Sequence, residues 1–472
     1  TAKVIAAATD LAIIARAGVG VDNVDVDAAT ERGVVVVNAP FANTLSTAEH
    51  AFGLMLALAR HIPQGHASLQ AGRWDRSKYN GLELYGKTLG VVGLGRIGTE
   101  VARRARAFEM RVLAFDPYVS DERFSALGVE RRTLDELLAE SDFVTLHTAL
   151  QAETQALINA ERLAHARKGV RIINAARGAL IDEQALYDAV ESGQVAGAAI
   201  DVFSTEPAVG NILTTHERIV VTPHLAASTS EAQDRAGIDV AEQVIDVLAG
   251  DAPRYPVNVP TVGAESMAVI GPFIEAAQAA ARVARQLTNA SFQKVRVEYL
   301  GEIGNHDTTP LSVGAIIGLL DQVADEKVSA VNAFAMAERH GIRLEVHSGV
   351  AREPYANVVV VTLSTDQGEE RVAATHTSTG VQIVGIDDYG VEVRVDGSQH
   401  FLAIENVDRP GSIGHVGTLL GGLSVNISSM SVSPGRAGRA LMLLGTDRPL
   451  EDAEVAQVEA LDGIDQIRQI SL

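Results

Sequence analysis

Lys87-Thr-Leu-Gly-Val-Val-Gly-Leu-Gly-Arg-Ile-Gly98 packs an apolar run, a glycine turn and the start of a helical pattern into one short span. Leu89 to Val92 reads as a buried strand. The pattern predicts a helix from Ile97 to Phe108 and a second strand over Arg111 to Phe115, which ends at Asp116. Strand, Gly93-x-Gly95-x-x-Gly98, helix, strand and acidic residue together form a dinucleotide-binding fingerprint. Gly93 permits the tight turn, Gly95 lets a pyrophosphate approach the backbone, and Gly98 lets the helix pack close to the strand. The helix N-terminus offers unpaired N–H groups and partial positive charge to phosphate. The bland alternative, glycines that only turn the chain, leaves both strands and the acid unexplained.

Outward from this turn, strands and helices alternate. Strands are expected around Val91 and Val112, and at Phe143 to Leu146, Arg171 to Asn174, Ala198 to Asp201 and Ile219 to Val221. That order predicts an α/β fold with a doubly wound parallel Rossmann sheet, whose ligands sit at the carboxyl ends of the strands. Those ends carry Asp116, His147, Asn174-Ala-Ala-Arg177-Gly178, Asp201 to Glu206 and Thr222-Pro-His224.

Upstream, Leu11 to Ile14 reads as a strand leading into Arg16-Ala-Gly18-Val-Gly20, a turn with backbone N–H groups free for an anion. Val34 to Val37 is a β-branched run, and Asn38-Ala-Pro40 stops it. Ser46-x-x-Glu49 reads as a capping box opening an apolar helix, Thr47 to Arg60. Trp74, the sole tryptophan, is either core or the anchor of a subunit contact. Downstream, Glu231 to Ala249 is helical and the proline-bearing Asp251 to Pro260 is a linker. Met267 to Leu287 reads as one helix, and Asn357 to Ser364, Glu370 to Thr377 and Val381 to Ile386 as an antiparallel sheet. From His400 a βαββαβ pattern predicts a small ferredoxin-like domain.

Composition narrows the function. The 472 residues imply several domains, and 47% hydrophobic residues suffice for sizeable cores. A net charge of -21 argues against a nucleic-acid or anionic-membrane partner, so an anionic substrate must be met by local arginines. With no cysteine, disulfides, thiolate metal sites and a cysteine nucleophile are excluded. Short, interrupted apolar runs and no signal peptide make a cytoplasmic protein the default expectation.

Arg177, Glu206 and His224 carry the chemistry. Oxidising a hydroxyl beside a carboxylate needs a base, a cation and a hydride acceptor, and no metal. A histidine titrates near neutral pH and suits the base. A neighbouring carboxylate favours its charged form and fixes the ring. An arginine offers a bidentate fork to the substrate carboxylate. Taken singly, each residue could merely close a loop or decorate a turn. It is their place on successive strand ends of one dinucleotide domain that points to a site. His147 is as well explained by a satisfied strand end as by a cofactor contact. Asp116 can accept from both ribose hydroxyls and would repel a 2′-phosphate, so NAD is favoured over NADP.

Gly93-Leu-Gly-Arg-Ile-Gly98, Asn174-Ala-Ala-Arg-Gly178, Asp201-Val-Phe-Ser-Thr-Glu-Pro207 and Thr222-Pro-His224 resemble the D-2-hydroxyacid dehydrogenases. Arg16 to Asn23 and the two C-terminal domains are similar to the long type of the D-3-phosphoglycerate dehydrogenases. The resemblance implies NAD-dependent oxidation of 3-phosphoglycerate, the first step of L-serine biosynthesis. It implies His224 as acid/base, Glu206 as its partner and Arg177 as the carboxylate-binding arginine. Gly93, Gly95, Arg96, Ile97, Gly98, Asp116, His147, Ala176 and Asp201 would hold the cofactor. Arg16, Gly18, Val19, Gly20 and Asn38 would meet the substrate. Trp74 matches a tryptophan used across a subunit interface. An ACT-like C-terminal domain would take L-serine as effector between two copies, through Asn406, Asp408 and Asn426, and a homo-tetramer follows.

The resemblance also implies domain limits. These are a flavodoxin-like substrate domain over 1–61, completed by 228–256, an NAD-binding domain over 62–227, an intervening α+β domain over 257–396 and an ACT domain over 397–472. The chain begins at Thr1, so the first strands of the substrate domain are expected to lie upstream. Two alternatives stay open: another D-2-hydroxyacid dehydrogenase such as a hydroxypyruvate or glyoxylate reductase, and a non-catalytic NAD- or amino-acid-sensing scaffold.

Overall fold

After a short helix over Ala2–Ala7, two short strands, β1 (Ile13–Arg16) and β2 (Val35–Asn38), pair with each other. The computed structural model describes residues 1–472 except 289, 322–323, 325–326, 367, 396–399 and 436. The domain limit expected at 396/397 lies outside the described residues. Two units are resolved: Ala15–Val21 with Asn38–Tyr255, and Thr1–Ile14 and Asp22–Val37 with Pro256–Leu472.

The first of these units is built on seven strands: β3 (Thr88–Val92), β4 (Arg111–Phe115), β5 (Glu130–Arg131), β6 (Phe143–Leu146), β7 (Val170–Asn174), β8 (Val195–Ile200) and β9 (Ile219–Val221). Their order is β5-β4-β3-β6-β7-β8-β9, and every neighbouring pair is parallel. Every residue of β3 and β6 is buried, as a sheet covered on both faces requires. One face packs Leu89, Val91 and Ile173 against the Thr44–Arg60 and Arg96–Ala107 helices. The other packs Leu113, Val144 and Ile172 against Leu137, Leu163 and Leu186. The strand order reverses at β3, so the crevice beyond the ends of β3 and β6 is the switch point where such sheets bind ligands.

Thr44–Arg60 starts before the expected Ser46–Glu49 box, with Asn43 as N-cap and no side-chain cap bond. Ser46 Oγ instead donates back to the Asn43 carbonyl at 3.0 Å, the local bond open to a serine in a first turn. Trp74 is 81% exposed, which removes the core alternative.

The second unit holds β10 (Phe292–Gly301), β11 (Arg343–Gly349), β12 (Asn357–Thr365), β13 (Gly368–Thr377), β14 (Gly380–Ile386) and β15 (Tyr389–Arg394), in the order β11-β10-β12-β13-β14-β15. The three expected strands pair antiparallel as β12, β13 and β14, and the additional strand β11 joins the sheet parallel to β10. The single helix expected over Met267 to Leu287 is two, Ala264–Ile270 and Pro272–Leu287. Pro272 has no N–H to continue the first helix and serves as the first residue of the second.

Four further strands, β16 (His400–Val407), β17 (Ile427–Pro434), β18 (Arg439–Thr446) and β19 (Ile464–Ser471), form an antiparallel sheet in the order β17-β18-β16-β19. With the Ser412–Gly422 and Asp452–Glu459 helices this completes the expected βαββαβ chain path. One face, with Leu402, Ile404, Met442 and Leu444, packs on Val416, Leu420 and Val458 of those helices. The alternate residues Phe401, Ala403, Leu441 and Leu443 belong to the core around the Pro272–Leu287 helix. Gln286 on that helix exchanges two hydrogen bonds with the Ser471 backbone, at 3.0 and 2.8 Å.

Candidate active site

The glycine turn has the shape its residues demand. Gly93 has φ +92, and a Cβ there would lie 2.7 Å from the His147 carbonyl oxygen. A Cβ on Gly98 would strike the Gly93 carbonyl oxygen, whereas one on Gly95 would meet nothing within 4 Å. Gly95 caps the Arg96–Ala107 helix, whose first turn contains Arg96 and Ile97. The Arg96 guanidinium lies 3.7 Å over the Phe41 ring. Asp116 accepts from Leu94 N–H at 2.8 Å and from Tyr118 N–H at 2.9 Å, which holds the carboxylate at the rim of the turn. Those two bonds leave about half of a carboxylate's roughly four acceptor sites for hydroxyl groups.

His147 lies against this turn at the end of β6. Its Nε2 is 2.9 Å from Thr145 Oγ1, and its Nδ1 is buried with no partner among the described residues. Burial pushes its pKa down to about 4, so the imidazole is neutral at physiological pH. An open approach at Gly95, a carboxylate at the rim and a buried ring nitrogen lacking a partner fit a bound dinucleotide.

Three segments of the sheet's far half converge on His224. Asn174 accepts from Ala176 N–H at 3.1 Å and donates to the Arg177 carbonyl at 2.9 Å, a tight knot from which the half-buried Arg177 projects. A Cβ on Gly178 would strike the Phe203 carbonyl, so the segments that carry Arg177 and Glu206 touch through their backbones. Glu206 Oε1 accepts from Phe203 N–H at 3.1 Å, and Oε2 lies 2.8 Å from His224 Nδ1. His224 has φ +53, the left-handed region that a non-glycine residue occupies only when its surroundings hold it there. Its side chain is 48% exposed, so the ring is open to a ligand. A cleft of about 690 Å³ lined by Phe203, Glu206, Pro207, Val209 and His224 borders the pair and does not reach the glycine turn.

Asp201 is fully buried. Its Oδ1 accepts from Thr222 Oγ1 at 2.5 Å, Leu225 N–H at 2.8 Å and His50 Nε2 at 3.1 Å, and its Oδ2 from Ala226 N–H at 2.9 Å. Burial acts to raise its pKa, but these four hydrogen bonds outweigh it and hold the group below the ordinary aspartate value. Thr222 belongs to the strand-end motif read in the sequence, whereas nothing there marks His50 as a site residue. The available signal was one histidine at the edge of the apolar run Ala51 to Ala59.

The Arg16 to Gly20 turn is braced from beside it: Gly18 N–H donates to the Arg16 carbonyl at 2.8 Å, Ala39 N–H to the Gly18 carbonyl at 2.9 Å and Asn38 Nδ2 to the Val19 carbonyl at 2.7 Å. Asn38 is thus occupied in shaping the turn. In the other unit, Asn406 is buried, with Oδ1 unpartnered among the described residues, while Asp408 and Asn426 are exposed. Asn406 pairs with Ala440, and Ile427, next to Asn426, pairs with Thr446 at the other end of β18. Six residues at about 3.3 Å each separate the two ends by roughly 20 Å, so one copy does not bring the three effector candidates together.

Residues 52–226 match the family model described as D-isomer specific 2-hydroxyacid dehydrogenase, NAD binding domain, and residues 269–387 match the D-3-phosphoglycerate dehydrogenase intervening domain. The chain is 41% identical over 466 residues to the D-3-phosphoglycerate dehydrogenase of Bacillus subtilis, covering 98% of this chain and 88% of that protein. It is 44% identical over 467 residues to the enzyme of that name from Mycobacterium tuberculosis, with the same coverages of 98% and 88%. Among solved structures, the D-lactate dehydrogenase of Aquifex aeolicus, complexed with NAD and lactic acid, superposes with a TM-score of 0.51 at 31% identity, over 55% of this chain and 84% of that one. A glyoxylate reductase from Paecilomyes thermophila gives 0.51 at 37% identity, over 54% and 78%. The chain belongs to the D-3-phosphoglycerate dehydrogenase branch of the D-isomer specific 2-hydroxyacid dehydrogenase family.

Proposed function

We propose that this chain oxidises 3-phosphoglycerate to 3-phosphohydroxypyruvate with NAD, the first step of L-serine biosynthesis, in the cytoplasm. The observation that carries the reading is the 2.8 Å contact between His224 Nδ1 and Glu206 Oε2, at the strand ends of the matched NAD-binding domain. With Nδ1–H donated to Glu206, Nε2 presents a lone pair that takes the substrate hydroxyl proton. Glu206 stabilises the imidazolium so formed and keeps the ring from turning. Arg177 holds the substrate carboxylate, assisted by Arg16 and by the backbone of Gly18, Val19 and Gly20. Asp116, the glycine turn, Arg96 and Ile97 would hold the cofactor, with His147 and Ala176 toward the nicotinamide, while the fully buried Asp201, its carboxylate engaged by Thr222, His50, Leu225 and Ala226, serves the His224 turn rather than the cofactor. NAD held there would supply the acceptor for the hydride from the carbon that bears the hydroxyl.

The same proposal keeps the limits of the substrate-binding, NAD-binding, intervening and ACT domains. It takes L-serine as an effector of a homo-tetramer. Antiparallel pairing of two sheets along the edge strand β17 would bring Asn406 and Asp408 of one copy toward Asn426 of the other.

NADH formation from 3-phosphoglycerate, with and without L-serine, tests the reading. Turnover is expected with wild type and should vanish in His224→Ala while NADH binding persists. A preference for glyoxylate or hydroxypyruvate as substrate would move the chain to a sibling activity, and no turnover of any of the three would sink the dehydrogenase reading.

A further inference from the structure

The turn that presents His224 is held from one point. The Asp201 backbone carbonyl accepts His224 N–H at 2.9 Å, and the Asp201 carboxylate accepts the next two amides, Leu225 and Ala226. Three consecutive N–H groups therefore end on one residue, and the residue they fix has left-handed backbone, which persists only under such constraint. The carboxylate is itself mobile about its side-chain torsions unless something fixes it. Three of its four donors, Thr222, Leu225 and Ala226, belong to the segment it organises and move with it. The fourth, His50 Nε2, comes from the Thr44–Arg60 helix, whose buried face is locked into the core by Leu54, Met55 and Leu58. His50 also lies 3.2 Å from Thr222 Oγ1, so it touches both side chains at the base of the turn.

We propose that His50 is a positioning residue of the dehydrogenase reaction: by donating Nε2–H to Asp201 it ties the His224 turn to the rigid helix behind it. This rests on reading His224 as the base. His50 touches neither substrate nor cofactor in this scheme. Its whole effect passes through a carboxylate whose remaining bonds set the place of the imidazole. The requirement is for an N–H at the Nε2 position, which a glutamine amide can supply and an alanine cannot.

Wild type, His50→Ala and His50→Gln separate the possibilities. His50→Ala should lower kcat for 3-phosphoglycerate about ten- to a hundredfold, the usual effect of a displaced catalytic group. The KM for substrate and the affinity for NADH should stay within about twofold, because only the positioning of the base is lost. Amide exchange in a peptide spanning Leu225 and Ala226 should speed up in His50→Ala, and His50→Gln should restore both slow exchange and most of kcat. Wild-type kcat and exchange in His50→Ala would overturn the proposal. So would loss of NADH binding and of thermal stability alongside kcat, which marks a merely structural role, or a His50→Gln variant as impaired as alanine. If wild type does not turn over 3-phosphoglycerate, the dehydrogenase reading has failed, and the exchange measurement alone decides whether His50 holds the turn.

Discussion

Gly95 and Gly98 occupy neighbouring turns of one motif, yet substituting them should produce opposite defects. An alanine at Gly95 meets no protein atom within 4 Å, and the backbone there, at φ -69 and ψ -155, is extended and open to any residue. Gly95→Ala should therefore fold as wild type does, and the loss of unfolded-chain freedom should raise its stability by up to about 1 kcal/mol. The new methyl stands where a pyrophosphate must approach the helix N-terminus. Forcing a methyl into an occupied space typically costs about 1–3 kcal/mol, which weakens NADH binding roughly five- to 150-fold. Gly98→Ala drives its Cβ into the Gly93 carbonyl oxygen and within 3.2 Å of Val91 Cγ1, so the defect falls on the protein itself. It should lower the melting temperature before any cofactor is added. Fluorescence titration with NADH and thermal melts with and without NADH distinguish the two. If Gly95→Ala binds NADH with wild-type affinity, or melts as low as Gly98→Ala without cofactor, then the open space at Gly95 is not where the cofactor passes.

His147 should leave an acid signature. Its pKa falls from 6.5 to about 4 by burial, so the unfolded chain binds more protons than the folded one between those values. Its contribution is therefore complete above the ordinary histidine range and is lost as pH falls toward 4, by up to roughly 3 kcal/mol. Urea unfolding at pH 7 and pH 4.5 should show His147→Gln gaining on wild type at the lower pH; an unchanged gap would count against a neutral buried ring. Trp74, at 81% exposure, should matter to assembly only. Trp74→Ala should change the sedimentation coefficient of the oligomer while shifting unfolding of the separated chain by less than about 0.5 kcal/mol. Asp408→Ala and Asn426→Ala should each lose serine inhibition. A mixed assembly of the two variants should recover part of it, since one seam of each pair then keeps both side chains; no recovery would place the effector elsewhere.

The cofactor sheet was legible because its strands are nearly pure apolar runs. Arg111–Phe115, Phe143–Leu146 and Ile219–Val221 were read to the residue. Strand β11 is not legible in the sequence because Arg343–Gly349 is mostly exposed on a sheet edge and carries no alternating core face. The Ser46–Glu49 pattern misled because the spacing that makes a capping box also occurs one turn inside a helix. Arg177, Glu206 and His224 could be singled out since polar residues at consecutive strand ends have few structural uses. Whether a strand-end carboxylate faces ligand or protein is set by donors distant in the chain. Asp201 therefore gave no hint that His50, 151 positions away, would meet it.

Strands β16 and β18 are buried on both faces: the sheet's own two helices cover one side, and the Pro272–Leu287 helix shares the core on the other. A module that can be shuffled between enzymes normally carries a complete surface of its own. This one does not. Cutting the chain ahead of His400 would bare Phe401, Ala403, Leu441, Leu443 and Ile470 as a contiguous apolar patch prone to self-association. Moving this sheet to another protein would therefore mean moving the rest of its unit as well, and evolution faces the same constraint as the engineer.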